Sequence, residues 1–194
     1  MRKTGTRWIV PSLALFVGGL KSPLALAESP AQLARANNQF AFDLYSKLRA
    51  SGGNVVVSPY SISTALMMVQ AGAKGATATQ MSQVLHFPEG ASWLAAFHDL
   101  RASLDRSAND SGIELSISNS LWVHQQASLV REYERETKSF FKAQLCNIDF
   151  TKPGPAAAEI NALVNKQTSG NIKKLIDDKS LSNQTVLEIG RAHV

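Results

Sequence analysis

The run from Asn54 to Gln80, NVVVSPYSISTALMMVQAGAKGATATQ, constrains the fold more than any other stretch, because it describes a capped helix with almost no polar face. Val55-Val56-Val57 reads as a short buried strand. Ser58-Pro59 then supplies an N-cap hydroxyl and a proline at the first helical position. From Ile62 onward the helix is apolar or small nearly all round, through Ala65, Leu66, Met67, Met68, Val69, Ala71, Gly72 and Ala73, the pattern of a helix enclosed by protein. A large fold must surround it.

The first 27 residues stand apart from that fold. Arg2, Lys3 and Arg7 precede the apolar stretch Trp8 to Leu20, and Ala25-Leu26-Ala27 is a small-x-small cleavage site, so residues 1–27 read as a secretory signal peptide. A single membrane anchor is the alternative, but Pro11, Gly18, Gly19 and Lys21 cut the apolar run below the roughly 18 to 20 residues that a span needs. Removing the segment takes away four positive charges and no acids, which brings the formal charge from +5 to about +1. A nucleic-acid or polyanion partner thereby loses its main support, and no stable membrane insertion is expected after cleavage. The expected location is secreted, extracellular or periplasmic, and the short leader is compatible with bacterial export. Cys146 is the only cysteine, so no internal disulfide forms; its apolar run, Leu145 to Phe150, places it in a buried strand.

Elements follow from periodicity. Leu33, Ala36, Phe40, Leu44 and Leu48 form one helical stripe that stops at Gly52-Gly53. Thr77 to Phe87 is a short helix with Met81, Val84 and Leu85 on one side, and Trp93 to Leu104 is another with Trp93, Ala96, Phe97, Leu100 and Leu104 inward. From Ile113 the period becomes two: Ile113, Leu115, Ile117, Asn119, Leu121 and Val123 alternate with Glu114, Ser116, Ser118, Ser120 and Trp122, as in a half-buried strand. Asn119 is the polar residue on the inward face and demands a specific hydrogen bond. Arg131 to Ala143 is a charged helix, Leu145 to Phe150 a strand, and a further helix begins near Ala156 and closes at Gly170.

The ordered, ungapped set Asn54, Ser58-Pro59, Ser61-Ile62, Ala65-Leu66, Met68, Gly72-Ala73, Gly75, Thr77 and Gln80-Met81 resembles the start of a serpin. The set Ile160-Asn161, Leu163-Val164, Thr168, Gly170, Ile172 and Leu175 resembles the serpin helix that lies across the main sheet, with Leu163 where the family often has tryptophan. Asn119 also matches, since serpins carry asparagine in the middle of a long strand of that sheet. The resemblance covers Leu33 to Leu187. It implies a mixed α+β fold, the N-terminal half of a serpin, with helices plus two first strands of the large antiparallel sheet over residues 28–187. After Leu187 the family continues into an apolar strand with an asparagine-alanine pair and an aromatic pair, whereas this chain reads Glu188 to Val194. One codon choice for these seven residues, GAG ATC GGA AGA GCA CAC GTC, contains the start of a common sequencing adapter, so 188–194 is expected to be a non-native tail.

The function that the resemblance implies is serine-type endopeptidase inhibition by suicide-substrate trapping. A protease attacks an exposed reactive-centre loop, and the cleaved loop inserts into the main sheet. That loop lies near the family's C-terminus and is absent from this chain, so the chain alone is expected to be inactive, partly folded and aggregation-prone. Ser58 and Ser61 match the serines beneath the point where the sheet opens, the shutter; they serve either as helix caps only or in gating. The implied partner of the full-length protein is a serine or cysteine protease, and the complete protein is expected to be a monomer without cofactor or metal. The rival reading is a serpin-fold binding or chaperone protein without inhibitory activity. An exported hydrolase built on Ser139 and Lys142, which satisfy a Ser-x-x-Lys spacing, lacks the Ser-Asp-Asn partner of such enzymes. His86, His98 and His124 fall on separate elements without ligand spacing. Asn109 and Asn183 begin formal glycosylation sequons.

Overall fold

The computed structural model describes residues 29–87, 93–113, 115 and 117–193. The expected leader, residues 1–27, lies outside them. Helix α1 (Pro30–Leu48) starts with a capping box in which Gln32 N donates to Ser29 Oγ (3.2 Å) and Ser29 N donates to Gln32 Oε1 (2.8 Å). It is followed by α2 (Pro59–Gly72), α3 (Gly75–Val84), α4 (Trp93–Asp110), strand β1 (Ile117–His124), α5 (Arg131–Phe141), β2 (Gln144–Ile148), α6 (Pro153–Gln167) and β3 (Leu187–His193).

The sheet has the order β2-β1-β3. β1 pairs with β2 in parallel and with β3 antiparallel. The expected two strands of an antiparallel sheet are therefore three strands of a mixed one. The reason is connectivity: α5 carries the chain from the end of β1 back to its start, and such a crossover returns a strand in the same direction. Residues 188–193 supply most of β3, with Ile189 opposite Leu121 and Arg191 opposite Asn119.

Two apolar layers flank the sheet. On one side Leu33, Phe40, Met67, Met68, Phe97 and Phe141 pack with Leu121 of β1. On the other, Ile160 and Val164 of α6 pack with Trp122, Ile148 and Ala192. This corrects the half-buried reading of β1: Trp122 and Ser120, assigned to its outward face, are 1% and 2% exposed because α6 covers that face. Alternating polarity along one strand carries no information about a helix that arrives some thirty residues later.

Other expectations also change. Val55 to Val57 form no strand, and Val56 is 99% exposed, since no strand lies beside them among the described residues. β1 begins at Ile117 rather than Ile113, because Ile113 belongs to the end of α4: its N–H donates to Ala108 O (2.9 Å) beyond Gly112, whose φ is +65°. α2 buries Ser63, Thr64, Met67 and Met68 but leaves Val69 41% exposed, so it is covered on one face and not all round. No residue within α3 is buried, and Leu85, just past its end, is the one that enters the core. Cys146 lies on β2 as expected but is only half-buried, and burial, then the charge of Glu159, push its thiol pKa up against a hydrogen bond from Gln144.

Candidate functional site

The site is the layer between the N-terminal half of α2 and the β1–β3 pair. Ser58 caps α2: Ser61 N donates to Ser58 Oγ (3.4 Å), and the Ser58 hydroxyl donates to Ser61 Oγ (3.1 Å). The next turn ties the helix to α1, with Ser63 Oγ donating to Asn37 Oδ1 (2.6 Å), while Thr64 Oγ1 donates back within α2 to Tyr60 O (2.7 Å). At the far end, Tyr133 of α5 donates its hydroxyl to Met68 O (3.0 Å) and lays its ring against Gly72, where an added Cβ would sit 3.1 Å from the ring. Burial pushes the Tyr133 pKa up.

Asn119 is 2% exposed and uses both ends of its carboxamide. Nδ2 donates to Phe141 O at 2.7 Å, and Oδ1 accepts from Arg191 Nη1 at 3.2 Å. Phe141 is the last residue of α5, so its carbonyl is one that the helix itself cannot satisfy. The strand amide thus fixes the end of a helix at the middle of the sheet. Arg191 joins this group to α2, with its guanidinium carbon 4.6 Å from the centre of the Tyr60 ring. On α4, Arg101 Nη2 donates to Ile117 O (2.9 Å), just where β1 begins.

The structure therefore places Ser58 and Ser61 together at the start of α2 and links Asn119 to α2 through Arg191 and Tyr60. Sequence reasoning missed Tyr60, Arg101 and Tyr133. Nothing in the local sequence marks Tyr60 or Tyr133 for a partner 65 or more residues away. On the opposite face, Gln167 of α6 reaches β1 and β2 by accepting from Ser120 Oγ (3.3 Å) and donating to Gln144 Oε1 (2.9 Å). Asn161 holds the segment after α6 by accepting from Leu175 N and Ile176 N and donating to Ile176 O. Ser139 is exposed on α5, and Lys142 Nζ is 3.9 Å from Asp105, so the Ser-x-x-Lys pair sits on a helix end beside an acid.

A helix seated behind a sheet whose other face is crossed by α6 is a serpin arrangement, and the chain matches the serpin (serine protease inhibitor) family over residues 35–192. It belongs to that family. Among its relatives, a serpin-like protein of Thermococcus kodakarensis is 41% identical over 155 residues, covering 78% of this chain and 36% of that protein. Leukocyte elastase inhibitor of Bos taurus is 36% identical over 164 residues, covering 83% and 43%. A tumour-suppressing serpin of solved structure superposes with a TM-score of 0.75 at 30% identity, over 85% of this chain and 46% of that one. The chain thus has the fold of part of a serpin and spans less than half the length of these relatives. Those relatives include archaeal and animal proteins.

Proposed function

We propose that this chain is the N-terminal part of an exported serine-type endopeptidase inhibitor, which acts in its full-length form by trapping a protease as its cleaved loop enters the sheet. The observation that carries the reading is the position of α2 behind β3 and β1, with the Ser58–Ser61 cap and the Asn119–Arg191–Tyr60 chain at their junction. A relative named as an elastase inhibitor supports the same class. Ser58, Ser61 and Asn119 are supporting residues of the sheet in this reading, and none touches the protease. Export rests on the leader at residues 1–27. The part described here leaves β2 and β3 as open sheet edges and Val69, Val186 and Leu187 uncovered, so at high concentration it associates, and on its own it does not inhibit.

The test pairs the full-length gene product with residues 28–194 alone and incubates each with a panel of serine proteases. The full-length protein should give a complex stable in detergent, and the shorter chain none. Failure of the full-length protein with every protease removes the inhibitor reading, and a stable complex with residues 28–194 removes the requirement for the rest.

A further inference from the structure

Where α2 ends, a hollow of about 690 Å³ opens among α2, α3, α5 and the first residues of α4. It exists because the last turn of α2 is built from residues too small to fill it. Ala71 and Gly72 carry almost no side chain, and at Ala73 the backbone turns extended, with ψ 150°. The Tyr133 ring is held against Gly72 while its hydroxyl donates to Met68 O, so it walls the hollow instead of filling it. Val69, Leu94, Leu129 and Leu187 complete an apolar wall. A concave apolar space of this size with a few polar groups is the usual setting for a small molecule.

The charges around it are unequal. Two carboxylates, Glu132 and Glu136, border the hollow with one ammonium, Lys74, which is exposed and screened by water. α2 ends and α3 begins here, so their dipoles oppose each other, and Glu132 in the first turn of α5 answers the positive end of that helix. Glu132 also has Arg135 Nη2 at 3.9 Å, and Glu134, outside the hollow, pairs with Lys138 at 2.6 Å. Glu136 stands one turn further along α5, half-buried, and among the described residues it has no ion pair. Its carboxylate is the uncommitted charge of the hollow.

We infer that this hollow binds a small organic cation, with an apolar body against Val69, Leu94, Leu129 and Leu187 and one ammonium at the Glu136 carboxylate. A neutral apolar guest would strip water from Glu136 and return nothing, whereas an ammonium replaces that water with a charged hydrogen bond. An anionic guest meets two carboxylates. The inference is independent of protease inhibition, and none of the residues it uses lies in 188–194.

The experiment titrates the dilute chain with three matched probes, biphenyl-4-ylmethanamine, biphenyl-4-ylmethanol and biphenyl-4-carboxylate, followed by calorimetry and by the fluorescence of Trp93, which lines the hollow. The amine should bind one to one and about tenfold tighter than the alcohol, with the carboxylate weakest. Glu136→Gln should erase the preference for the amine and leave alcohol binding unchanged. Val69→Lys, at a position 41% exposed, carries the test should Glu136→Gln fail to fold: its own ammonium should enter the hollow and displace the amine. Equal binding of amine and alcohol, tighter binding of the carboxylate, an unchanged preference in Glu136→Gln or unchanged amine binding in Val69→Lys overturns the inference. So does amine binding by this chain that is lost in the full-length gene product, because the hollow would then be filled by the rest of the protein.

Discussion

Asn119→Ala removes two hydrogen bonds from the junction of three elements, and its cost can be worked from the geometry. Phe141 O, at the end of α5, loses the donor 2.7 Å away and stays buried, which costs about 1–3 kcal/mol. Arg191 loses the Asn119 acceptor, a charged interaction worth about 1.5–3 kcal/mol when both partners are well placed. The two effects share one side chain and do not add fully, so the net loss should be about 2–4 kcal/mol. Asn119→Leu has nearly the same volume and should retain most of that loss, which separates hydrogen bonding from cavity formation. The assay is urea unfolding of dilute residues 28–194 followed by tryptophan fluorescence, since Trp93 and Trp122 are both buried. A change below about 0.5 kcal/mol in Asn119→Ala would refute the reasoning, because it would mean that neither bond contributes measurably.

Ser58→Ala should cost about 1 kcal/mol as loss of an N-cap, and Ser58→Asn should restore it if the hydroxyl only caps; full stability with lost inhibition in the full-length Ser58→Asn protein would instead assign it to gating. Gly72→Val should cost about 1–3 kcal/mol in the same unfolding assay, because the new Cβ meets the Tyr133 ring at 3.1 Å and displaces the hydroxyl from Met68 O. Burial raises the Glu188 pKa above its ordinary 4.5, so the folded state holds the proton longer than the unfolded chain. Stability therefore falls as pH rises from the ordinary value to the raised one, and the penalty persists at neutral pH. Glu188→Gln should accordingly stabilise the chain at pH 7 and have little effect below the ordinary carboxyl range, and a pH-independent effect in a melting series would contradict the assignment.

Helical periodicity, caps and turn residues were enough to place α1, α2, α4, α5 and α6, and the sequence around Ser58 set the start of α2, because these features depend on neighbours within a few residues. The need for a partner at Asn119 was legible too, since a lone amide on an apolar face must be satisfied wherever the fold is closed. Which partner it takes was not: Phe141 and Arg191 are 22 and 72 residues away. The same limit explains Val55 to Val57, whose β-branched run forms a strand only if another strand lies beside it, and Ile113, which the α4 cap claims before β1 can. It explains the second buried face of β1 as well, created by α6, and the parallel β1–β2 register, created by the α5 crossover. Local spacing fixes which way a side chain can point along its own element. What stands on the other side, and whether a polar or charged group there finds its match, is decided only when distant segments are brought together.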